Sequence, residues 1–363
     1  MSARWRTGAE QVLRRLVKSA SQTARRGKVV VQTYRGYGSV RRIFLMGRVL
    51  REPSPAAPSG QGLWSNLRLV WRRMRAWGLD DVALSVRFGK AKTTVRTDRD
   101  GYFRLDLELP EAPPADQLWH RVAIRLDQPF AIDVEGDVFI PRDDCRLAVI
   151  SDIDDTIMRT GVANKVMMMW RLFVQGADSR TAFPGMAPFL RALHCGPEQG
   201  EANPMLYVSR APWAIYGVLD RFFNLHGIPE GPILFLRDWG LTLQHPLPRR
   251  GKGHKINLIR QMITHYDDLQ FILIGDSGQH DPEIYAEIAR SHPGRVRAVY
   301  IRDVSTAPGR DQAIARMASD FQANGCSLLL AADTMAMARH AADEGLIADA
   351  ALNEIATEIK AAP

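Results

Sequence analysis

Asp152, Asp154, Asp155 and Thr156 stand directly beyond the apolar run Leu147-Ala-Val-Ile150. A run of that kind suits a strand buried on both faces of a parallel sheet. Three carboxylates crowded at the end of a buried strand are costly unless a cation or reaction chemistry compensates them. Three further polar positions share the same setting. Met205–Ser209 is an apolar run ending in Ser209-Arg210, and Phe271–Ile274 runs into Gly275-Asp-Ser-Gly-Gln-His-Asp281. Lys255 opens a helical stretch just after the loop Gly251-Lys-Gly-His254. A parallel sheet delivers its strand ends to one edge, so these groups can converge there although they are far apart in the chain.

The elements that must position them follow from the pattern around them. From residue 144 to about 305, short apolar runs (Leu147–Ile150, Met205–Ser209, Ile233–Leu236, Phe271–Ile274, Val296–Ile301) alternate with helical stretches such as 185–193, 213–223 and 254–263. That alternation predicts an α/β fold with a doubly wound parallel sheet. Residues 306–363 are Ala-rich and mainly helical, with Cys326–Leu330 as one further strand. Before residue 144 the pattern is different. Residues 29–34, 42–46, 81–88, 102–109 and 119–126 read as strands, several alternating apolar and polar positions, with a turn at Thr97-Asp-Arg-Asp-Gly101. Their spacing predicts an antiparallel β-sandwich domain over 29–143. A flexible Pro/Ser-rich insert lies near 53–62, followed by a basic-aromatic stretch with Trp64, Trp71 and Trp77. Residues 1–28 form a basic amphipathic segment, which can lie on an anionic membrane or dock on its own domain.

Charge is unevenly spread. Residues 1–100 hold 22 Lys/Arg against 6 Asp/Glu, while the chain as a whole is +8. An anionic partner or an Arg-rich solvated face both account for that excess. No recognised nucleic-acid-binding motif accompanies it, so no nucleic acid is expected. The three cysteines, 145, 195 and 326, are few and widely separated, as in a reducing compartment. No secretory signal and no apolar run of about 18 residues is present, so the expected location is cytoplasmic, with peripheral contact at the inner membrane face.

In this order, Asp152-Ile-Asp-Asp-Thr156, Ser209, Lys255 and Gly275-Asp276 with Asp281 resemble the haloacid dehalogenase superfamily. The flanks narrow the resemblance: Phe183-Pro-Gly-Met186, Ala211-Pro-Trp213, Leu236-Arg-Asp-Trp-Gly240 and Asp281-Pro-Glu-Ile-Tyr285 are similar to the actin-patch-type phosphatidate phosphatases, relatives of the lipins. The resemblance implies Mg²⁺-dependent hydrolysis of phosphatidate or a related lipid phosphomonoester. Asp152 would be the nucleophile that forms an aspartyl-phosphate, and Asp154 would protonate the leaving oxygen and then activate water. Asp152, Asp276, Asp281 and the backbone carbonyl of Asp154 would hold the metal. Lys255 would neutralise the transferring group, Ser209 would bond a phosphate oxygen, and Thr156 would buttress the loop or touch substrate. Arg210 and Ala211 depart from the small polar pair expected before Pro212, placing a further cation beside the substrate. A soluble phosphomonoester substrate, or a phosphatidate-binding module without catalysis, are the alternatives. The Met- and aromatic-rich stretch 162–174 is too short for a full cap domain, leaving the site open to a bulky substrate. That stretch can pack on its own domain or touch acyl chains.

Overall fold

The computed structural model describes residues 28–52, 77–159, 182–235 and 252–362, apart from 212 and 267. The basic N-terminal segment, the Pro/Ser-rich insert with most of the basic-aromatic stretch, the Met-rich stretch 162–174 and the motif at 236–240 lie outside the described residues.

The N-terminal strands are β1 (Lys28–Thr33), β2 (Gly36–Gly38), β3 (Arg42–Glu52), β4 (Trp77–Gly78), β5 (Ala83–Phe88), β6 (Ala91–Arg96), β7 (Tyr102–Glu108), β8 (Trp119–Leu126) and β9 (Ile132–Phe139). They form one hydrogen-bonded sheet in the order β1-β3-β2-β9-β8-β5-β6, with β4 and β7 also on β3. Every pairing is antiparallel except that of β2 with β9. Along β5 and β8 buried and exposed residues alternate, the period-2 signature of a half-buried strand. The inward residues, among them Val31, Leu45, Val86, Phe103, Leu105, Ile124 and Val138, share one core cluster. Strand β5, near one end of the path, and β7, paired to β3 near the other, both feed it, so the sheet curls over its own interior.

The second half alternates as the pattern predicts: β10 (Leu147–Asp152), α1 (Met186–Cys195), β11 (Met205–Ser209), α2 (Tyr216–His226), β12 (Ile233–Phe235), α3 (Lys252–His265), β13 (Gln270–Asp276), α4 (Asp281–Ser291), β14 (Val296–Arg302), α5 (Arg310–Arg316), α6 (Ala318–Ala323), β15 (Ser327–Ala331), α7 (Thr334–Asp343) and α8 (Ala351–Ala361). The strands make a parallel sheet in the order β12-β11-β10-β13-β14-β15. The protein is therefore mixed α/β, one parallel sheet and one mainly antiparallel sheet. Strand β10 is buried at all six positions, consistent with its unbroken apolar run. From β10 the chain winds outward to β11 and β12, then returns to β13 and winds the other way. The change of direction falls between β10 and β13, where open α/β sheets gather their ligands.

The two sheets are not independent. Tyr34, Tyr37, Phe44 and Met46 belong to the α/β core cluster. Tyr34 packs on Trp213 at 4.3 Å and on Tyr216 at 4.8 Å between ring centroids. Arg35 pairs with Asp220 of α2, and with Glu230 at 3.1 Å. On α3, Arg104 bonds Gln261 at 2.8 Å and Tyr37 meets the His265 ring edge-on at 5.1 Å. At the other end of the α/β unit, α8 lies on α1: Glu358 accepts from the backbone N–H of Gly185 at 3.2 Å, and Arg191 pairs with Glu354 at 2.7 Å. Gly185 has φ +76°, and a Cβ there would come within 2.8 Å of Ile359.

Candidate active site

Asp152, Ser209 and Asp276 are the last residues of β10, β11 and β13, three strands side by side in the sheet. Beyond β10 the chain turns sharply. Asp155 takes a left-handed φ of 57°, which Asp tolerates better than most residues. The backbone N–H groups of Ile157 and Met158 bond back to the carbonyl of Ile153 at 3.0 and 3.1 Å. Asp281 is the first residue of α4, where the helix dipole favours a carboxylate. Lys255 comes from the first turn of α3, on the chain's return from β12. All of these except the half-buried Asp155 are buried.

Lys255 Nζ is the hub of the site. It donates to Asp152 Oδ1 at 2.7 Å and to Asp281 Oδ1 at 2.6 Å, with only 1% of the lysine exposed. Asp281 Oδ2 also accepts from the backbone N–H of Asp276 at 3.3 Å. This closeness depends on Gly275: a Cβ there would stand 2.5 Å from Asp281 Oδ2 and 2.7 Å from its Cβ. Carboxylate oxygens of Asp152, Asp276 and Asp281 lie within 4.8 Å of one another. Two of them, Asp152 Oδ2 and Asp276 Oδ1, are buried without a hydrogen-bond partner among the described residues. Buried, unpartnered oxygens in a cluster of hard donors suit a divalent cation such as Mg²⁺ or Ca²⁺. The carboxylate of Asp154 is outside that trio; its Oδ2 accepts from Ser209 Oγ at 3.2 Å. Ser209 Oγ in turn accepts from the N–H of Ala211 at 3.1 Å, which fixes the start of the loop after β11.

The electrostatics point the same way. Burial raises the Asp152 carboxyl well above the usual carboxylate range, opposed by Lys255 and reinforced by Asp281 and Asp276. Burial and then Asp281 push Asp276 up to about 7. Burial works against the charge of Lys255, but Asp152 and Asp281 outweigh it and hold the ammonium above its ordinary value. The shifts share a cause: three buried carboxylates surround one ammonium, so the lysine keeps its proton and the carboxylates compete for another positive charge. A divalent cation held by the trio would supply that charge.

The predicted residues therefore gather at one edge. Thr156 is fully buried beside the turn with its Oγ1 unpartnered among the described residues, and half-buried Arg210 is near enough for its charge to act on Lys255. Sequence patterns missed the supporting residues. Gln279 donates to Asp276 Oδ2 at 2.8 Å, and Tyr285 sets its ring 5.7 Å from Lys255 Nζ while bonding the carbonyl of Ile274 at 2.9 Å. Ser277 Oγ accepts from the N–H groups of Val304 and Ser305, both at 2.9 Å, tying the loop after β13 to the one after β14. Only the short loop between Asp276 and Asp281 gives any local hint of Gln279. An open groove of about 1000 Å³ on the outer side of β5, β6, β8 and β9 has none of these groups in its lining.

Residues 147–303 match the family described as "Phosphatidate phosphatase APP1, catalytic domain". A Saccharomyces cerevisiae protein, phosphatidate phosphatase APP1, is 30% identical over 173 residues, covering 46% of this chain and 28% of its own length. An uncharacterized Schizosaccharomyces pombe protein is 27% identical over 222 residues, covering 59% of this chain and 35% of its own. The chain thus spans about a third of the length of these relatives. Among solved structures, a carbohydrate acetylesterase from Xanthomonas citri covers 81% of this chain and 66% of its own at TM-score 0.33 and 8% identity, a likeness too loose to inform fold or function.

Proposed function

We propose, from the match of residues 147–303 to the phosphatidate phosphatase APP1 catalytic-domain family, that this chain is a Mg²⁺-dependent phosphoric monoester hydrolase with a haloacid dehalogenase-like domain over 144–305, acting on phosphatidate or a related lipid phosphomonoester. The observation that carries the proposal is the Lys255 bridge between Asp152 and Asp281, with Asp152 Oδ2 and Asp276 Oδ1 left for a cation. Asp152, Asp276 and Asp281, with the backbone carbonyl of Asp154, would hold the Mg²⁺, which when bound would offset negative charge on the phosphoryl group. Asp152 attacks phosphorus to give an aspartyl-phosphate as the ester P–O bond breaks. Asp154 gives a proton to the leaving alkoxide and takes one from the water that later cleaves the acyl phosphate, with Ser209 orienting it through their 3.2 Å bond. Lys255 holds Asp152 in place and neutralises the transferring group, while Arg210, Ser209 and Thr156 contact the phosphate or its loop.

The same proposal assigns 29–143 to a β-sandwich domain and 306–363 to a C-terminal extension, and locates the protein in the cytoplasm with peripheral contact at an anionic membrane. No helix among the described residues is long and apolar enough to cross a membrane. Phosphate release should be measured from dispersed phosphatidate and from soluble phosphomonoesters, with Mg²⁺ or EDTA, for the wild type and Asp152→Asn. Release from phosphatidate that needs both Mg²⁺ and Asp152 is expected. Release from soluble esters alone would remove the lipid assignment; no release from any ester would remove the enzyme and favour a binding module.

A further inference from the structure

Arg302, the last residue of β14, lies opposite Asp276 in the β13–β14 ladder. It is only 3% exposed, yet among the described residues no carboxylate forms an ion pair with it. Its Nε donates to the backbone carbonyl of Thr156 at 3.0 Å, and its Nη2 donates to Thr334 Oγ1 at 3.0 Å and reaches Met186 Sδ at 3.4 Å. The guanidinium stacks 4.1 Å from the Phe183 ring, against which Arg159 also rests at 5.2 Å. Burial and then Arg159 lower Arg302 to about 10, so it remains cationic near neutral pH.

A buried cation with neutral partners is a poor stabiliser, and an apolar residue of similar volume commonly serves stability as well or better. What an apolar residue cannot supply is a rigid fork of donors. Here the fork spans two places far apart in sequence, the turn after Asp152–Asp155 and the N-terminus of α7. Among the described residues Thr156 Oγ1 has no partner; the far end of the turn is tied back by the Phe183 N–H, which bonds the Ile157 carbonyl at 2.9 Å, and by the Arg302 fork on the Thr156 carbonyl, 146 residues away. We propose that Arg302 is a positioning residue for the turn bearing Asp152 and Asp154, anchored in turn by Thr334 of the C-terminal extension. Thr334 lies beyond residue 303, where the family match ends. The extension is then part of the working catalytic unit. The kinetic part of this inference rests on the phosphatase assignment.

Two readouts separate the positioning role from that assignment, using the full-length chain. Hydrogen exchange at the amides of residues 152–158, followed by mass spectrometry, reads the turn directly. In Arg302→Met this exchange should speed up about tenfold, the loss of one buried hydrogen bond, with a smaller rise in Thr334→Val and partial recovery in Arg302→Lys. On whichever ester the wild type hydrolyses, kcat should fall about 10- to 100-fold with KM nearly unchanged, since a misplaced nucleophile loses rate rather than binding. Unchanged exchange in the turn, or a rise in KM at constant kcat, would overturn the role. A wild type that releases phosphate from neither phosphatidate nor soluble esters would remove the phosphatase assignment while the exchange data still decide on Arg302. If Arg302→Met fails to fold, Thr334→Val, which leaves the charge in place, decides the same question.

Discussion

Replacing Asp276 by Asn tests the electrostatic account of the site. Asp276 is pushed from 3.8 up to about 7 in the folded protein. Between those values the folded protein keeps a proton that the unfolded chain has released, so this group makes stability fall as pH rises from about 4 to about 7, with no further change above. At pH 8 the shift of about 3 pH units is fully expressed and costs about 4 kcal/mol; at pH 5 only about a third of that has appeared. Asn retains an acceptor for the Gln279 donor and removes the charge. In EDTA, Asp276→Asn is therefore expected to be more stable than the wild type at both values, and more so at pH 8. At about 2 °C per kcal/mol the advantage should grow by about 5 °C between pH 5 and pH 8. Adding Mg²⁺ at pH 8 should raise the melting temperature of the wild type and leave the variant nearly unmoved. An advantage equal at the two pH values, or a variant less stable than the wild type at pH 8 in EDTA, would refute the idea that the trio is held at a charge deficit.

Two other substitutions probe the same geometry. Lys255→Met leaves Asp152 and Asp281 without their shared ammonium; melts should show a loss of about 3–5 kcal/mol near neutral pH, and phosphate release should fall by about 100-fold or more. Gly275→Ala sets a methyl 2.5 Å from Asp281 Oδ2; denaturant titration should show a loss of about 1–3 kcal/mol, and isothermal titration weaker Mg²⁺ binding because Asp281 is pushed off its position.

Much of the site was legible because buried parallel strands read as unbroken apolar runs whose ends are where polarity returns. Asp152, Ser209 and Asp276 each close such a run, and all three occupy the last position of a strand. Strand Ser327–Ala331 also follows from its apolar stretch. Other strands gave weaker signals. Ala91–Arg96 is largely polar because one face is solvated, Gly36–Gly38 is too short for a period, and Ile132–Phe139 carries three acidic residues and a glycine. The helix expected from Trp213 begins as a 3₁₀ turn at Trp213–Ile215 before α2. Least legible were the ties between distant segments. Ser209 to Asp154, Gln279 to Asp276 and Arg302 to Thr156 depend on how strands register and loops meet. A lone arginine at the end of a strand carries no local sign that its fork will reach a carbonyl 146 residues earlier.

The packing of Tyr34 and Tyr37 bears on how the chain is made. The N-terminal sheet is complete once Phe139 has been synthesised, before any strand of the parallel sheet exists. Yet the face formed by Tyr34, Tyr37, Phe44 and Met46 has its partners in Trp213, Tyr216, His265 and Tyr266. Its last partners, His265 and Tyr266, stand at the end of α3, so on the ribosome that face cannot be fully covered until β10, β11, β12 and α3 have been made. It is the surface that a chaperone would meet first, and the place where a stalled or truncated chain would stick to its neighbours.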